Sequence, residues 1–325
     1  MPSYSGVWTL PAQYQARGLN NWPLPPLTGA LAYVFAGNIN VTASVQYFNI
    51  PSGGVTTDFG QKFYNTTYAS TQGALSNSVY GLLTSHSNPP ENRDKIEYIT
   101  FATLGSNGAW GNLTQSMSLS SACSNSTRGL IGADGFTGPI YNLINFVTLS
   151  STGNASSFGQ LAANGPQQGS ALASTTRAVF AIGYDNSASA PDYATSAMQY
   201  VTIASTGNSV FFGNLTNQRR NAGGAGSSTR GLFMGGRNND TGAQNRIDYI
   251  TIASTGNATT FGDLSVARMP SATSDSIKAV AVGDANENSN VIDYVTIAST
   301  GNATNYGTLS SFINGAACSN SHGGL

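Results

Sequence analysis

The stretch I-D-Y-I-T-I-A-S-T-G-N-A-T-T-F-G-D-L, Ile247 to Leu264, decides the fold, because versions of it occur six times. Tyr249 anchors this copy; Tyr47, Tyr98, Phe146, Tyr200 and Tyr294 anchor the others. A second aromatic followed by glycine stands 12 positions after each anchor: Phe59-Gly60, Trp110-Gly111, Phe158-Gly159, Phe212-Gly213, Phe261-Gly262 and Tyr306-Gly307. That interval is constant, whereas successive anchors lie 51, 48, 54, 49 and 45 residues apart. A fixed hairpin is therefore repeated inside a unit whose loops vary. Self-similarity at such a period marks a stack or ring of small sheets.

Outward from the hairpin, the best-formed unit shows four strand-like segments. Asn221 to Ser228 is small and Gly-rich, Gly231 to Gly235 is apolar, Asp248 to Ala253 alternates in β-branched residues, and Ala258 to Leu264 carries the second aromatic. Short strands between Gly, Ser and Asn turns predict an all-β fold with almost no helix. Nearly all the length variation falls between the second and third strands. In an antiparallel four-stranded blade that loop shares a face with the connection to the next blade. One face of the assembly is thus expected to vary, while the other is built from near-constant S-T-R-G and S-T-G-N turns.

The chain ends predict how the stack closes. The last unit continues into N-G-A-A-C-S-N-S, Asn314 to Ser321, a first strand with no unit after it; the first unit starts at A-Y-V-F-A-G-N, Ala32 to Asn38, a second strand with no first. A solenoid would not need such complementary ends. They predict a six-bladed β-propeller of four-stranded antiparallel blades over residues 29–325, with the C-terminal strand joining the N-terminal blade so that no sheet edge is left open. Residues 1–28 match no repeat. They carry Tyr4, Trp8, Tyr14 and Trp22 and end in W-P-L-P-P-L, whose prolines disfavour helix and central strand. This reads as an extended arm, either folded back on its own ring or docking the protein onto a larger assembly.

Charged residues are 8% of the chain and the formal net charge is −1, so the Lys/Arg surplus needed to neutralise a nucleic-acid backbone is missing. No run approaches a membrane span, and the N-terminus has neither a basic nor a long apolar region, so synthesis in a cytoplasm without a signal peptide is expected. Cys123 and Cys318 share the context A-C-S-N-S and so occupy one position of two repeats; two buried free thiols are expected rather than a disulfide. Among the nine N-x-S/T sequons, Asn257 and Asn302 arise from the repeated G-N-A-T turn, where asparagine is expected for its tolerance of left-handed backbone.

Residues suited to chemistry are scarce. The two histidines are His86 and His322, and no H-x-x-x-H, C-x-x-C or carboxylate cluster has metal-ligand spacing. No catalytic residue, metal site or cofactor is nominated. Glu97, Asp248 and Asp293 sit beside anchors and recur with the repeat, which points to structural work. Arg128, Arg177, Arg230 and Lys278 recur at one position, where they could form a partial cationic ring near the channel or cap turn carbonyls. The candidates for recognition lie in the variable loops: Tyr184, Asp185, Asp192 and Tyr193 in Y-D-N-S-A-S-A-P-D-Y, and Arg237, Asn238, Asn239 and Asp240. They set aromatic platforms beside hydrogen-bonding groups, the chemistry used for sugars and polar protein surfaces.

An apolar strand ending in Gly235-Gly236, then a strand with Tyr249 and one with Phe261, resembles the kelch repeat of β-propellers. The interval between the two aromatics is longer than in typical kelch units, four other units keep single glycines, Gly37, Gly132, Gly183 and Gly283, and the second unit, around Leu83 to Ser85, has lost it, so the resemblance is to a degenerate form. The wording D-Y-I-T-I-A-S-T-G-N-A-T-x-F-G-D-L also resembles repeats of tailed-phage proteins, marine and cyanobacterial ones especially, and S-G-V-W-T-L-P-A-Q-Y-Q-A, Ser5 to Ala16, resembles segments of phage tail-fibre and adsorption proteins. These likenesses imply a non-enzymatic virion protein whose arm binds other virion proteins and whose free face meets a host-surface glycan or protein. A free carbohydrate-binding propeller is the alternative from a different class.

Overall fold

Each repeat folds into an antiparallel sheet because its four β-prone segments are short and the turns between them reverse the chain. The computed structural model describes residues 29–38, 41–60, 73–84, 94–103, 107–117, 120–132, 142–163, 166–185, 193–284, 289–309 and 315–325. Tyr4, Trp8, Tyr14, Trp22, His86 and Asp192 lie outside them. The described residues form six four-stranded antiparallel sheets, a small extra hairpin and no helix. In the fifth blade the strands run, from the axis outward, Gly223–Gly226, Arg230–Met234, Arg246–Thr251 and Thr259–Asp263.

The innermost strands are Gly73–Ser76, Ser121–Ser124, Ser170–Ala173, Gly223–Gly226, Ser271–Ser274 and Ala316–Ser319, and each touches the next around a closed circle. The molecule is a six-bladed β-propeller. Ring closure follows the expected route: Ala316–Ser319 pairs with the first described strand, Leu31–Asn38, in the register Ala32↔Ser319 to Phe35↔Ala316. Small residues are required at the axis because strands from different blades converge there; a Cβ on Gly224 would lie 2.3 Å from the Ala171 carbonyl oxygen. Serine hydroxyls tie neighbouring inner strands together, Ser124 Oγ donating to Ser76 O at 2.6 Å and Ser274 Oγ to Gly226 O at 2.6 Å.

The core is divided among the seams between blades. Each of the six apolar clusters straddles two neighbours; one joins Leu130, Ile144 and Phe158 of the third blade to Phe180, Val201 and Ile203 of the fourth. Every buried Leu, Ile or Phe there contributes about 1.5–3 kcal/mol, but only if the next blade covers it. A single repeat cannot bury its faces alone, and closure supplies the last cover. Both thiols fit this arrangement: Cys123 and Cys318 sit at equivalent places in two inner strands, free and buried. Burial pushes both thiol pKa values well above the ordinary range.

The constant interval between aromatics has a geometric cause. In five blades the register between third and fourth strands slips by one residue, at Ile96/Glu97, Ile144/Asn145, Met198/Gln199, Ile247/Asp248 and Ile292/Asp293. Such a bulge adds an unpaired residue and re-aims side chains. The two aromatics then meet across the strands, nearly edge to face in four of these blades, with centroids 5.5 Å apart for Tyr98–Trp110 and 6.1 Å for Tyr249–Phe261, and tilted at 4.2 Å for Tyr294–Tyr306.

Candidate binding face

One face of the ring is spent on holding blades together. In the S-T-G-N turn of the fifth blade, Gly256 N–H donates to Phe212 O at 2.8 Å and Ala258 N–H to Asn214 O at 2.8 Å, both acceptors belonging to the fourth blade's outermost strand. Asn257 Oδ1 accepts the Asn214 N–H at 3.0 Å. The same clasp recurs at Asn154, Asn208 and Asn302, each accepting from the residue after an aromatic-Gly pair in the preceding blade. This corrects the expectation for the G-N turn: none of these asparagines is left-handed; they are selected for an acceptor aimed at a neighbouring sheet. The aromatic-Gly pair has its explanation in the same contact. A Cβ on Gly159 would lie 2.1 Å from Gly207 O, and one on Gly262 2.1 Å from Gly301 O.

The recurring cations also serve these seams. Arg128 donates to Ile203 O and Ala204 O, Arg177 to Ile252 O, and Arg230 to Ile297 O and Ala298 O, each bond 2.9 Å long and reaching the turn of the following blade. Lys278 Nζ donates to Pro51 O at 2.7 Å, across the seam between the last and first blades. Each lies over its own blade's anchor ring, Phe146, Tyr200, Tyr249 or Tyr294. Of the two readings open in the sequence, capping of turn carbonyls is the one realised, and it reaches between blades.

The acidic residues beside the anchors are structural as well. Asp248 is fully buried, accepts from Thr216 N at 3.0 Å and Thr216 Oγ1 at 2.7 Å, and pairs with buried Arg219 at 3.0 Å. Asp293 repeats the arrangement with Ser265 and Arg268, the ion pair closing at 2.8 Å. Burial pulls the Arg219 pKa down and Asp248 pushes it back up. Glu97 is likewise buried beside its anchor.

The axial channel is stoppered at the constant-turn end by the last residues of the chain. His322 Nδ1 accepts the Gly324 N–H at 3.1 Å, which leaves Nε2 as the protonated nitrogen, and Nε2 lies 2.9 Å from the Ser76 carbonyl and 3.4 Å from Ser124 Oγ. Burial lowers the His322 pKa, and the bond to Ser76 opposes this in part. Gly323 and Gly324 fit where no side chain would; a Cβ on Gly324 would lie 2.0 Å from Ser124 O. At the other end the channel wall is formed by Gln168, Asn221, Met269 and their neighbours around about 100 Å³ of space. Gln168 and Asn221 are both left-handed, φ 51° and 53°, and are joined by a 2.7 Å bond from Asn221 N to Gln168 O.

Around that end lie the variable loops, where the candidate residues assemble into one cluster spanning blades four and five. The Tyr184 and Tyr193 rings stand 5.5 Å apart and 30° from coplanar, held by an Asp185 N to Tyr193 O bond of 2.9 Å, with Tyr193 itself left-handed at φ 52°. Arg237 and Asn238 form a small hairpin with Gly242 and Ala243. Asn238 is buried in the turn's own bonds, donating to Gln218 O at 3.3 Å and accepting from Asp240 N at 2.8 Å, so it shapes the loop; Asn239 and Asp240 are exposed. The link between the loops is Arg220, in the connection from blade four to blade five. Its guanidinium lies 5.5 Å over the Tyr184 ring and donates to Asn239 Oδ1 at 2.6 Å. Sequence reasoning passed over Arg220 because it stands outside both loops; the doublet Arg219-Arg220, with one partner committed to the core, was the available signal.

Among the described residues no three His, Cys, Asp or Glu side chains gather as a metal site, and no helix is long and apolar enough to cross a membrane. No known protein-family model matches the chain, and a search of curated proteins finds no match.

Proposed function

We propose that the protein is a non-enzymatic structural component of a tailed-phage virion, a degenerate kelch-like propeller fixed to a tail, fibre or other surface part by residues 1–28 and meeting a host surface with its variable-loop face. Its place of action is the particle, after synthesis in the host cytoplasm. The observation that carries this reading is the opposed placement of the arm junction and the loop cluster. Gly29 joins the ring on the constant-turn face, where its carbonyl accepts from Asn320 Nδ2 at 2.9 Å and Ile50 N–H bonds Ala30 O at 2.8 Å. The Tyr184, Tyr193, Arg220 and Asn239 cluster lies on the face opposite. A module held from one side and exposed on the other suits attachment, and the repeat wording and the Ser5 to Ala16 segment support a phage origin.

The test is to delete residues 1–28 in the phage that encodes the chain and to assay purified particles by mass spectrometry. The expected result is loss of the protein from particles while the isolated ring keeps its thermal transition. A truncated chain that still incorporates overturns the reading. The tilted tyrosine pair favours one second reading, a free carbohydrate-binding propeller; it would be absent from particles and give a glycan-array signal that Tyr184→Ala or Tyr193→Ala abolishes.

A further inference from the structure

Arg220 and Arg237 stand opposite one another. Each backbone N–H donates to the other's carbonyl, at 2.9 and 2.8 Å, in an isolated antiparallel bridge. Side chains of directly opposed residues leave the same face of a ladder, and like charges so placed are destabilising. Neither arginine takes part in an ion pair among the described residues, whose pairs are Lys95–Asp94, Arg219–Asp248 and Arg268–Asp293. Asp240, in the same hairpin as Arg237, is exposed and also forms none. The Nε atoms of both arginines are buried and have no hydrogen-bond partner. The other recurring cations are spent on turn carbonyls. These two leave donors unused beside an aromatic pair.

We propose that Arg220, Arg237, Asn239 and the Tyr184–Tyr193 pair form a binding site for a carboxylate-bearing sugar, a uronic- or sialic-acid-type residue of an acidic polysaccharide. The proposal rests on the reading of the variable-loop face as the recognition face and gives its ligand a chemical class. Two guanidinium groups relieve their mutual repulsion by sharing a carboxylate, which a planar fork of donors can hold with two parallel bonds. The tyrosine rings offer an apolar surface to the C–H face of the sugar ring, and Asn239, whose Oδ1 accepts from Arg220 at 2.6 Å, fixes that guanidinium beside them. A neutral sugar would leave the charge pair uncompensated. An acidic peptide would satisfy the arginines and make no demand on the aromatic pair.

The full chain is titrated calorimetrically with oligogalacturonate, oligomannuronate and oligosialate, with methyl-esterified oligogalacturonate, with oligo-aspartate and with sodium sulfate. At least one acidic oligosaccharide is expected to bind, more weakly as salt is raised, and the ester and sulfate not at the same concentrations. Arg237→Ala and Tyr193→Ala should each weaken binding about tenfold or more, with Arg237→Lys recovering part of the loss. Oligo-aspartate binding that is indifferent to Tyr193→Ala, sulfate binding alone, or no binding by any probe overturns the proposal. Without ligand, Arg237→Gln should hold or raise the melting temperature, because it removes a repulsion; a clear fall would make Arg237 a structural residue and overturn the site. The titration uses the isolated chain, so its failure leaves incorporation into particles intact, whereas failure of the arm deletion leaves the sugar binding intact.

Discussion

Blades three and five share one backbone design and fill the same junction with opposite chemistry. In blade five, Asp248 accepts from Thr216, and Arg219, three residues further along the connection, closes a buried ion pair. In blade three, Asn145 accepts from Thr114 N at 3.1 Å and Thr114 Oγ1 at 2.6 Å, and the residue three further along is Met117, whose sulfur lies 3.3 Å from Asn145 Nδ2. The hydroxyl-to-oxygen bond is common to both. Only the second partner changes, and it changes together with the first: Asp with Arg, Asn with Met. A buried carboxylate is tolerable only with its counter-ion, and a buried guanidinium only with its anion. The junction is thus a two-residue unit that the chain has solved in a charged and in a neutral way.

The sharpest way to break this comparison is to mix the solutions. Asp248→Asn alone leaves Arg219 buried without its anion and should cost about 3–5 kcal/mol, read as a fall in the urea midpoint. Adding Arg219→Met rebuilds the blade-three pair and should restore stability to within about 1 kcal/mol of the parent, or exceed it. A double variant as unstable as the single one would show that the junctions are not interchangeable.

The close approach at the aromatic-Gly pair, found at Gly111, Gly159, Gly213, Gly262 and Gly307, should respond alike in both regions. Gly159→Ala drives a Cβ into Gly207 O and should cost about 2 kcal/mol or more, as should Gly262→Ala against Gly301 O. The reciprocal Gly207→Ala meets nothing within 4 Å and should stay within about 1 kcal/mol. Thermal melts of the three variants check the asymmetry; equal losses from Gly159→Ala and Gly207→Ala would remove the close approach as the cause. Smaller still, Asn208→Ala and Asn257→Ala each delete one acceptor between blades and should cost about 1 kcal/mol apiece. Additivity of the two in a double variant would confirm that the seams act independently.

The smallest effect concerns the C-terminal stopper. The folded-state pKa of His322 lies below its ordinary value, so the unfolded chain binds the proton more readily. The stabilisation from neutral His322 is complete above about pH 6.5 and is lost as pH falls below it. Its polar contacts, with Ser76, Ser124 and Gly324, carry no charge that could hold an imidazolium. The protection of the last residues' amides, taken relative to their intrinsic exchange rate at each pH, should therefore fall between pH 7.5 and pH 5, and His322→Gln should flatten that dependence.

How much of this was legible beforehand follows from the range of each interaction. Six blades, their strand order and the joining of Ala316–Ser319 to the first blade were readable because they rest on patterns within one repeat and on the match between two chain ends. The bulge was implicit in the constant interval between Tyr249 and Phe261 but could not be named from it. The role of Asn257 was misread, because a local turn preference explained it equally well and its partner, Asn214, is 43 residues away in another sheet. The loop residues Tyr184, Tyr193 and Asn239 were found as composition, whereas Arg220, which joins them, had no local mark.

The sequence by itself determined the unit and the closed ring, since hydrophobic periodicity and the turns that interrupt it act over a few residues and leave one consistent topology. Tertiary structure alone decided which atoms hold the seams, why glycine follows the second aromatic, and which arginines form ion pairs among the described residues. Those outcomes depend on hydrogen bonds such as the 3.0 Å Asn214–Asn257 contact and on backbone approaches that leave no room for a Cβ, contacts that exist only once the ring has closed.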